Sequence, residues 1–347
     1  MIGRREFLKL VGAGASALAL AACGGTAEQP DQTAATDDQM STTQEAAPVL
    51  VRTSALKGPT AMGLVRFMSE ADAGNLADND YTFQIVSSVD EVAPLIAKEE
   101  VDVAAVPANL ASVLYNKTEG GVRVIAINTL GVLYLCEQGD AVSTVADLAG
   151  KTLYASGKGA TPEYALSYIL KKNGLELGTD VQVEWKSEHA ECVAALAEDP
   201  SGIAMLPQPF VTTAQMQNDQ IRVAIDLNKE WDAVQSGDEQ SSLITGVALV
   251  RSAFADENPA AVDAFLGHYA ESVEFVNNNV ADAAKLVGDY DIVPEAVAAK
   301  ALPECNIVCV TGSDMKERLS GYLAVLSDQN ADAVGGALPG DDFYYGA

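Results

Sequence analysis

Leu153-Tyr154-Ala155-Ser156-Gly157-Lys158-Gly159-Ala160-Thr161-Pro162-Glu163 reads as a short strand, a glycine-bearing loop and the opening of a helix. Gly157 and Gly159 allow the backbone to turn tightly and to approach a ligand. Thr161 is placed to cap the following helix, and Pro162 suits its first turn. The loop is not a Walker phosphate loop, because no Gly-Lys-Ser/Thr follows a glycine and a four-residue spacer. The same strand–loop–helix unit recurs on both sides of this stretch, and that repetition sets the fold class.

Upstream, Val49–Thr53, Tyr81–Val86, Val101–Val106 and Val122–Ile127 read as strands. The stretches near Thr60–Ala73, Val89–Lys98 and Asn109–Tyr115 between them carry apolar residues at helical spacing. Leu64, Phe67 or Met68, and Ala71 form the expected buried stripe of the first helix. Downstream, Val181–Trp185, Ile203–Leu206, Ile221–Ile225 and Gly246–Val250 read as strands. Helices are expected near Pro162–Asn173, Glu188–Ala197 and Phe210–Gln217. The rest is mostly helical, over about Pro259–Asn277, Val280–Val287, Pro294–Ala299 and Asp314–Leu326. This alternation predicts an α/β protein of two lobes, each a mostly parallel sheet flanked by helices, with a ligand cleft between them. Segments near Asn128–Glu137 and Asp226–Gly246 are the expected crossings. They assign 48–131 and 244–347 to a discontinuous lobe I and 132–243 to lobe II.

Residues 1–22 have the form of an export signal. Arg4-Arg5-Glu6-Phe7-Leu8-Lys9 precedes a mild apolar run from Leu10 to Leu20, and Leu20-Ala21-Ala22-Cys23 follows. A charged start, a short apolar core and small residues at the end describe a cleaved signal rather than a membrane span. Arg4 and Arg5 resemble a twin-arginine signal. Leu-Ala-Ala-Cys resembles a bacterial lipobox, in which Cys23 becomes the lipidated first residue. From Cys23 to Ala47 the chain is rich in Thr, Ala, Gln, Asp and Glu and poor in large apolar residues, as expected of a flexible tether. The expected location is therefore extracytoplasmic, on the outer face of a membrane or the periplasmic face in a two-membrane cell, held by a lipid anchor.

The chain has 347 residues, a formal charge of −28 and 48% hydrophobic residues. So acidic a surface repels nucleic acid and anionic lipid, which excludes nucleic-acid partners. An anionic ligand would have to be held by local groups against this field. Besides Cys23 the cysteines are Cys136, Cys192, Cys305 and Cys309. They read as free or structural thiols, with a Cys305–Cys309 bridge as the alternative. His189 and His268 are the only imidazoles, so no metal or cofactor is expected.

In open α/β sheets ligands lie beyond the carboxyl ends of strands. Four such junctions stand out: Leu56-Lys57-Gly58-Pro59-Thr60, where Thr60 is the expected cap; Val106-Pro107-Ala108-Asn109; the Ser156–Glu163 loop; and Leu206-Pro207-Gln208-Pro209. Each one alone is accounted for by a turn and a cap, and their recurrence in both halves points to two lobes facing across a cleft.

With Asp147-Leu148-Ala149-Gly150-Lys151-Thr152 and the late Ser272-Val273-Glu274-Phe275-Val276-Asn277-Asn278, these loops resemble the solute-binding lipoproteins of ABC importers. The likeness is to the nitrate/sulfonate/taurine and thiamine-precursor binding group, and it covers about Val49 to Leu326. The resemblance implies a periplasmic-binding-protein type II fold that closes on a small polar molecule and presents it to a permease and its ATPase. A sulfonate, a nitrate-like anion and a thiamine-precursor-like heterocycle are the ligands it implies. Carried onto this sequence, the ligand loops are Lys57, Gly58, Pro59, Thr60 and Met62, with Asn109, Gly131, Gly159, Ala160, Thr161, Gln208, Thr245 and Gly246. Sulfonate and nitrate binders often place cationic side chains in the cleft, and here only Lys57 and Lys158 qualify. Tyr134 and Trp231 lie near the crossings, either to stack on an aromatic ligand or to pack the core. Such a protein is not an enzyme. An exported enzyme or a sensor on the same fold is the alternative, and neither a Gly-x-Ser-x-Gly elbow nor a His-Glu-x-x-His pair is present to support catalysis.

Overall fold

Two sheets organise the chain in a computed structural model, which describes residues 48–235 and 241–347. The expected signal, Cys23 and the tether lie outside the described residues. The strands are β1 Leu50–Leu56, β2 Asp80–Val86, β3 Val103–Pro107, β4 Val122–Leu130, β5 Leu133–Gln138, β6 Thr152–Ala155, β7 Gln182–Trp185, β8 Ile203–Pro207, β9 Ile221–Asp226, β10 Ile244–Arg251 and β11 Ile307–Val310. The first sheet has the order β11-β4-β10-β3-β1-β2 and the second β7-β6-β8-β5-β9. Helices pack on both, as the alternation predicts.

The parallel expectation is met within β2-β1-β3 and β7-β6-β8, but the two strands that follow crossings run the other way. The reason is geometric. The chain leaves the first sheet at the carboxyl end of β4 and enters the second at the carboxyl end of β8, where Leu133 pairs Pro207. It returns beside the carboxyl ends of β3 and β4, where Gly246 pairs Pro107 and Ile244 pairs Leu130. A strand entering a sheet at its neighbours' carboxyl ends must run antiparallel to them.

The crossing expected over Asn128–Glu137 shrinks to Gly131 and Val132, because β4 and β5 extend through most of that segment. The segment Asp226–Gly246 carries a helix, Leu227–Ala233, capped by the Asp226 carboxylate. The expected helix Thr60–Ala73 is two, Pro59–Met62 and Val65–Asp72. Leu64, Phe67 and Met68 of the expected stripe are buried, and Ala71 is half-buried. Phe67 packs its ring against Tyr81, Phe83 and Phe265 at 4.8–5.2 Å between centroids. Cys136, Cys192, Cys305 and Cys309 are free thiols. No described helix is long and apolar enough to cross a membrane.

At the end of the first sheet opposite the strand carboxyl ends, Asp102 is 1% exposed between two arginines. Its carboxylate accepts from Arg52 Nε at 2.8 Å and from an Arg251 guanidinium nitrogen at 2.8 Å. Burial pushes the Asp102 carboxyl up, and hydrogen bonds from Arg52 and Arg251 outweigh it, holding the group below the usual carboxylate range. Removing one member of a buried ion network leaves the others uncompensated. Asp102→Ala is expected to lose about 3 kcal/mol of stability, read as a lower urea midpoint.

Candidate functional site

A cavity of about 310 Å³ opens where the carboxyl ends of β3 and β8 and the amino end of β10 meet the short crossing between β4 and β5. From the first sheet it is lined by Pro107, Asn109, Leu110 and Thr245. Val132 and Leu133 line the crossing. From the second sheet come Ala160, Thr161, Pro162, His189 and Pro207. The two proline-ended strands place Pro107 and Pro207 at matching positions, one in each sheet. A larger open groove, about 830 Å³, runs between helices Thr161–Lys172 and Gly312–Gln329, but solvated Glu163, Lys171, Asp180 and Asp328 line it. Ligand sites favour apolar concavities with a few placed polar groups, as in the first cavity.

Of the residues expected at the site, Asn109, Ala160, Thr161 and Thr245 stand on this wall. The others are not among the residues that line it. Thr60 does not cap its helix, because Gly58 holds that position, and its hydroxyl donates to the Leu56 carbonyl at 2.7 Å. Gly58 takes a φ of 124°, a conformation that favours glycine, which permits the turn into Pro59. Lys57 reaches Asp291 at 3.6 Å, and Met62 is fully buried in the core. Gly246 lies so close to Thr60 and Asn128 that a Cβ there would collide with both side chains. Gly131 is likewise pressed by Asn228 and Leu243, so the two crossings touch. Gln208 turns inward and accepts from the Thr212 hydroxyl at 2.9 Å. Gly159 donates its N–H to Glu163 at 2.5 Å on an exposed loop.

Thr161 and Asn109, the other two residues placed to cap helices, do not do so: the cap lies one position earlier in the first case and two in the second. Ala160 is the N-cap, so Thr161 and Pro162 are already helical, and the Thr161 hydroxyl accepts from Tyr322 at 3.0 Å. Pro107 holds the cap position before the helix that contains Asn109, and the Asn109 amide reaches the Ala333 carbonyl at 3.4 Å. Tyr134 and Trp231 are core residues: the Tyr134 hydroxyl donates to the Glu304 carbonyl at 3.1 Å, and Trp231 Nε1 donates to Ser241 at 3.0 Å.

The residue the sequence reading passed over is His189. It opens the helix after β7, a fifth junction of the same kind as the four singled out. Its Nδ1 lies 2.5 Å from Ser156 Oγ, in the loop after β6, and its ring packs on Phe210 at 5.0 Å. Burial lowers its pKa to about 4, so it is neutral at physiological pH.

The arrangement, two α/β sheets whose facing strand ends enclose a cavity beside a double crossing, is the periplasmic-binding-protein type II fold. Solved structures share it. The chain aligns with an ABC transporter structure from Parabacteroides distasonis at a TM-score of 0.70 and 21% identity, covering 85% of this chain and 98% of that one. It aligns with the periplasmic aliphatic sulphonate binding protein SsuA from Escherichia coli at 0.65 and 15%, covering 84% and 91%. The periplasmic nitrate-binding protein NrtA from Synechocystis aligns at 0.53 and 14%, covering 72% and 69%. No family model and no curated protein matches the sequence. At these identities the likeness is one of fold.

The lowered His189 pKa links stability to pH. Its unfolded value is near 6.5, so below that pH the unfolded chain takes up a proton that the folded chain refuses. This contribution is fully present above about pH 6.5 and is lost progressively towards pH 4. Between pH 7.5 and 5.0, His189→Gln is expected to lose less stability than the unmodified chain in urea titrations. Equal losses would mean that His189 titrates normally.

Proposed function

We propose that this chain is the extracytoplasmic solute-binding component of an ABC importer, which captures a small molecule between two lobes and delivers it to a permease and its ATPase. The observation that carries this reading is the cavity, whose wall is built by strand and helix ends of both sheets. A molecule that touches both stabilises the form in which they are close, and no chemistry is needed for that. In this reading lobe I comprises 48–131 and 244–347, lobe II comprises 132–243, and bending occurs at Gly131–Val132 and near Leu243. Asn109, Ala160, Thr161 and Thr245 contact the ligand. The Lys57–Thr60 turn, Met62, Gly131, Gln208 and Gly246 shape the walls behind them, and Gly159 lies on the loop at the rim.

The signal features complete the reading. Arg4 and Arg5 direct export, and Cys23 carries the lipid that ties the protein to the membrane. Aliphatic sulphonate and nitrate, bound by structural neighbours, mark small solutes as the class to test first.

An exported enzyme on this fold has one observation in its favour, the Ser156–His189 pair, which has the form of a nucleophile beside a base. Ser156 is 3% exposed and is not among the cavity-lining residues, so its hydroxyl does not meet a bound molecule. The pair is better read as a fixed hydrogen bond.

Two measurements test the proposal. Incubated with a small-molecule extract and recovered by ultrafiltration, the full chain is expected to retain a molecule that mass spectrometry finds chemically unchanged. Leu110→Trp, which fills the cavity, is expected to retain at least tenfold less while melting at the same temperature without ligand. Equal retention by the two chains, or conversion of the molecule, would overturn the binding role. Separately, fatty-acid labelling in cells is expected to mark the unmodified chain and not Cys23→Ser; label on both would remove the anchor.

A further inference from the structure

The binding-protein reading leaves open what kind of molecule the cavity takes, and the residues around it bear on that question. No Lys, Arg, Asp or Glu is among the described residues that line it. The two candidate cations are engaged elsewhere or remote: Lys57 faces Asp291, and Lys158 is exposed on its loop and absent from the wall. An anion brought here would lose its water without gaining a counter-charge, in a chain whose formal charge is already −28. The helices beginning at Ala108, Thr161 and His189 start at this wall. Their partial positive charge favours an anion and, more weakly, the negative end of a neutral dipole, which carries a far smaller desolvation penalty.

The wall is apolar at Pro107, Leu110, Val132, Leu133 and Pro207, and its free hydrogen-bonding groups are few. Among the described residues the Thr245 hydroxyl, His189 Nε2 and Asn109 Oδ1 have no hydrogen-bond partner. Thr161 is taken by Tyr322. The state of His189 follows from its neighbour. Ser156 Oγ also lies near the Cys192 sulfur, a weak acceptor, so the arrangement that makes the stronger bond has Oγ–H donating to Nδ1 at 2.5 Å. The ring proton then sits on Nε2.

We infer that the cavity takes a compact, uncharged molecule, apolar over most of its surface, whose carbonyl- or sulfonyl-type oxygen accepts a hydrogen bond from the Nε2–H of His189. His189 is thus a ligand-specifying residue, and Ser156 positions it by fixing the tautomer. The inference rests on the binding role proposed above. The cavity volume, at the small end of the range for ligand sites, sets the size of that molecule.

Matched probes that differ in charge test it: dimethyl sulfone against methanesulfonate, and benzamide against benzoate, in calorimetry with the full chain at pH 7.5. In each pair the uncharged member is expected to bind at least tenfold more tightly. His189→Phe, which keeps a ring but removes the donor, is expected to weaken the uncharged member about tenfold, and His189→Gln, which restores an N–H, to recover part of that loss. Nitrogen-15 imidazole shifts, which need no ligand, are expected to report the Nε2–H tautomer in the unmodified chain and a mixture in Ser156→Ala. Preference for the anions, no binding by any of the four, unchanged binding in His189→Phe, or the Nδ1–H tautomer would each overturn the inference. If the extract experiment still finds a retained molecule, the binding role survives and only the ligand class falls.

Discussion

Everything beyond the first sheet hangs from the ladder between β4 and β10. The chain leaves through β4 and comes back through β10, and these two strands pair from Leu130–Ile244 at the cavity end to Val122–Arg251 at the far end. Because outgoing and returning strands are zipped together inside one sheet, both crossings emerge at one place. Gly131 and Leu243 then touch, which is possible only because Gly131 has no side chain. The cavity lies next to the place where both crossings emerge.

The sequence shows these strands more clearly than their directions. Period and composition find nearly every strand and the late helices, because buried β-branched runs and three- and four-residue spacing are local signals. Antiparallel entry at a crossing is not local. It follows from where the chain comes from in space, and Leu133–Gln138, continuous in character with β4, reads as linker until the second sheet is known. Strand β11 is missed for a related reason: Ile307–Val310 is four residues long and sits among helices, and only its pairing with β4 makes it a strand.

The site divides in the same way. Loops with Gly, Pro and Thr at strand ends announce themselves, and Asn109, Ala160 and Thr161 from them stand on the cavity wall, joined by Thr245 from the crossing that the resemblance implied. The sequence does not reveal which side chain of a loop faces inward. Pro107 and Pro207 line the cavity while Gln208 next door turns into the core to meet Thr212. His189 was unreadable alone, because what distinguishes it is Ser156, thirty-three residues earlier and on another strand end. A histidine beside Glu188 looks like a solvated helix start, and only the fold supplies the burial that keeps it neutral.

The helix Gly312–Gln329 belongs by sequence to the chain that follows the first sheet, yet its contacts reach the second. Tyr322 donates to Thr161 on the cavity wall and lies 5.7 Å, ring to ring, from the buried Trp231, which in turn lies 4.5 Å from Tyr168. One of only two tryptophans in the chain therefore packs in an aromatic cluster with Tyr322, which is bonded to Thr161 on the cavity wall. The molecule carries its own optical gauge: a shift of Thr161 relative to the late helix alters the surroundings of an indole, and the intrinsic fluorescence of the unlabelled protein follows.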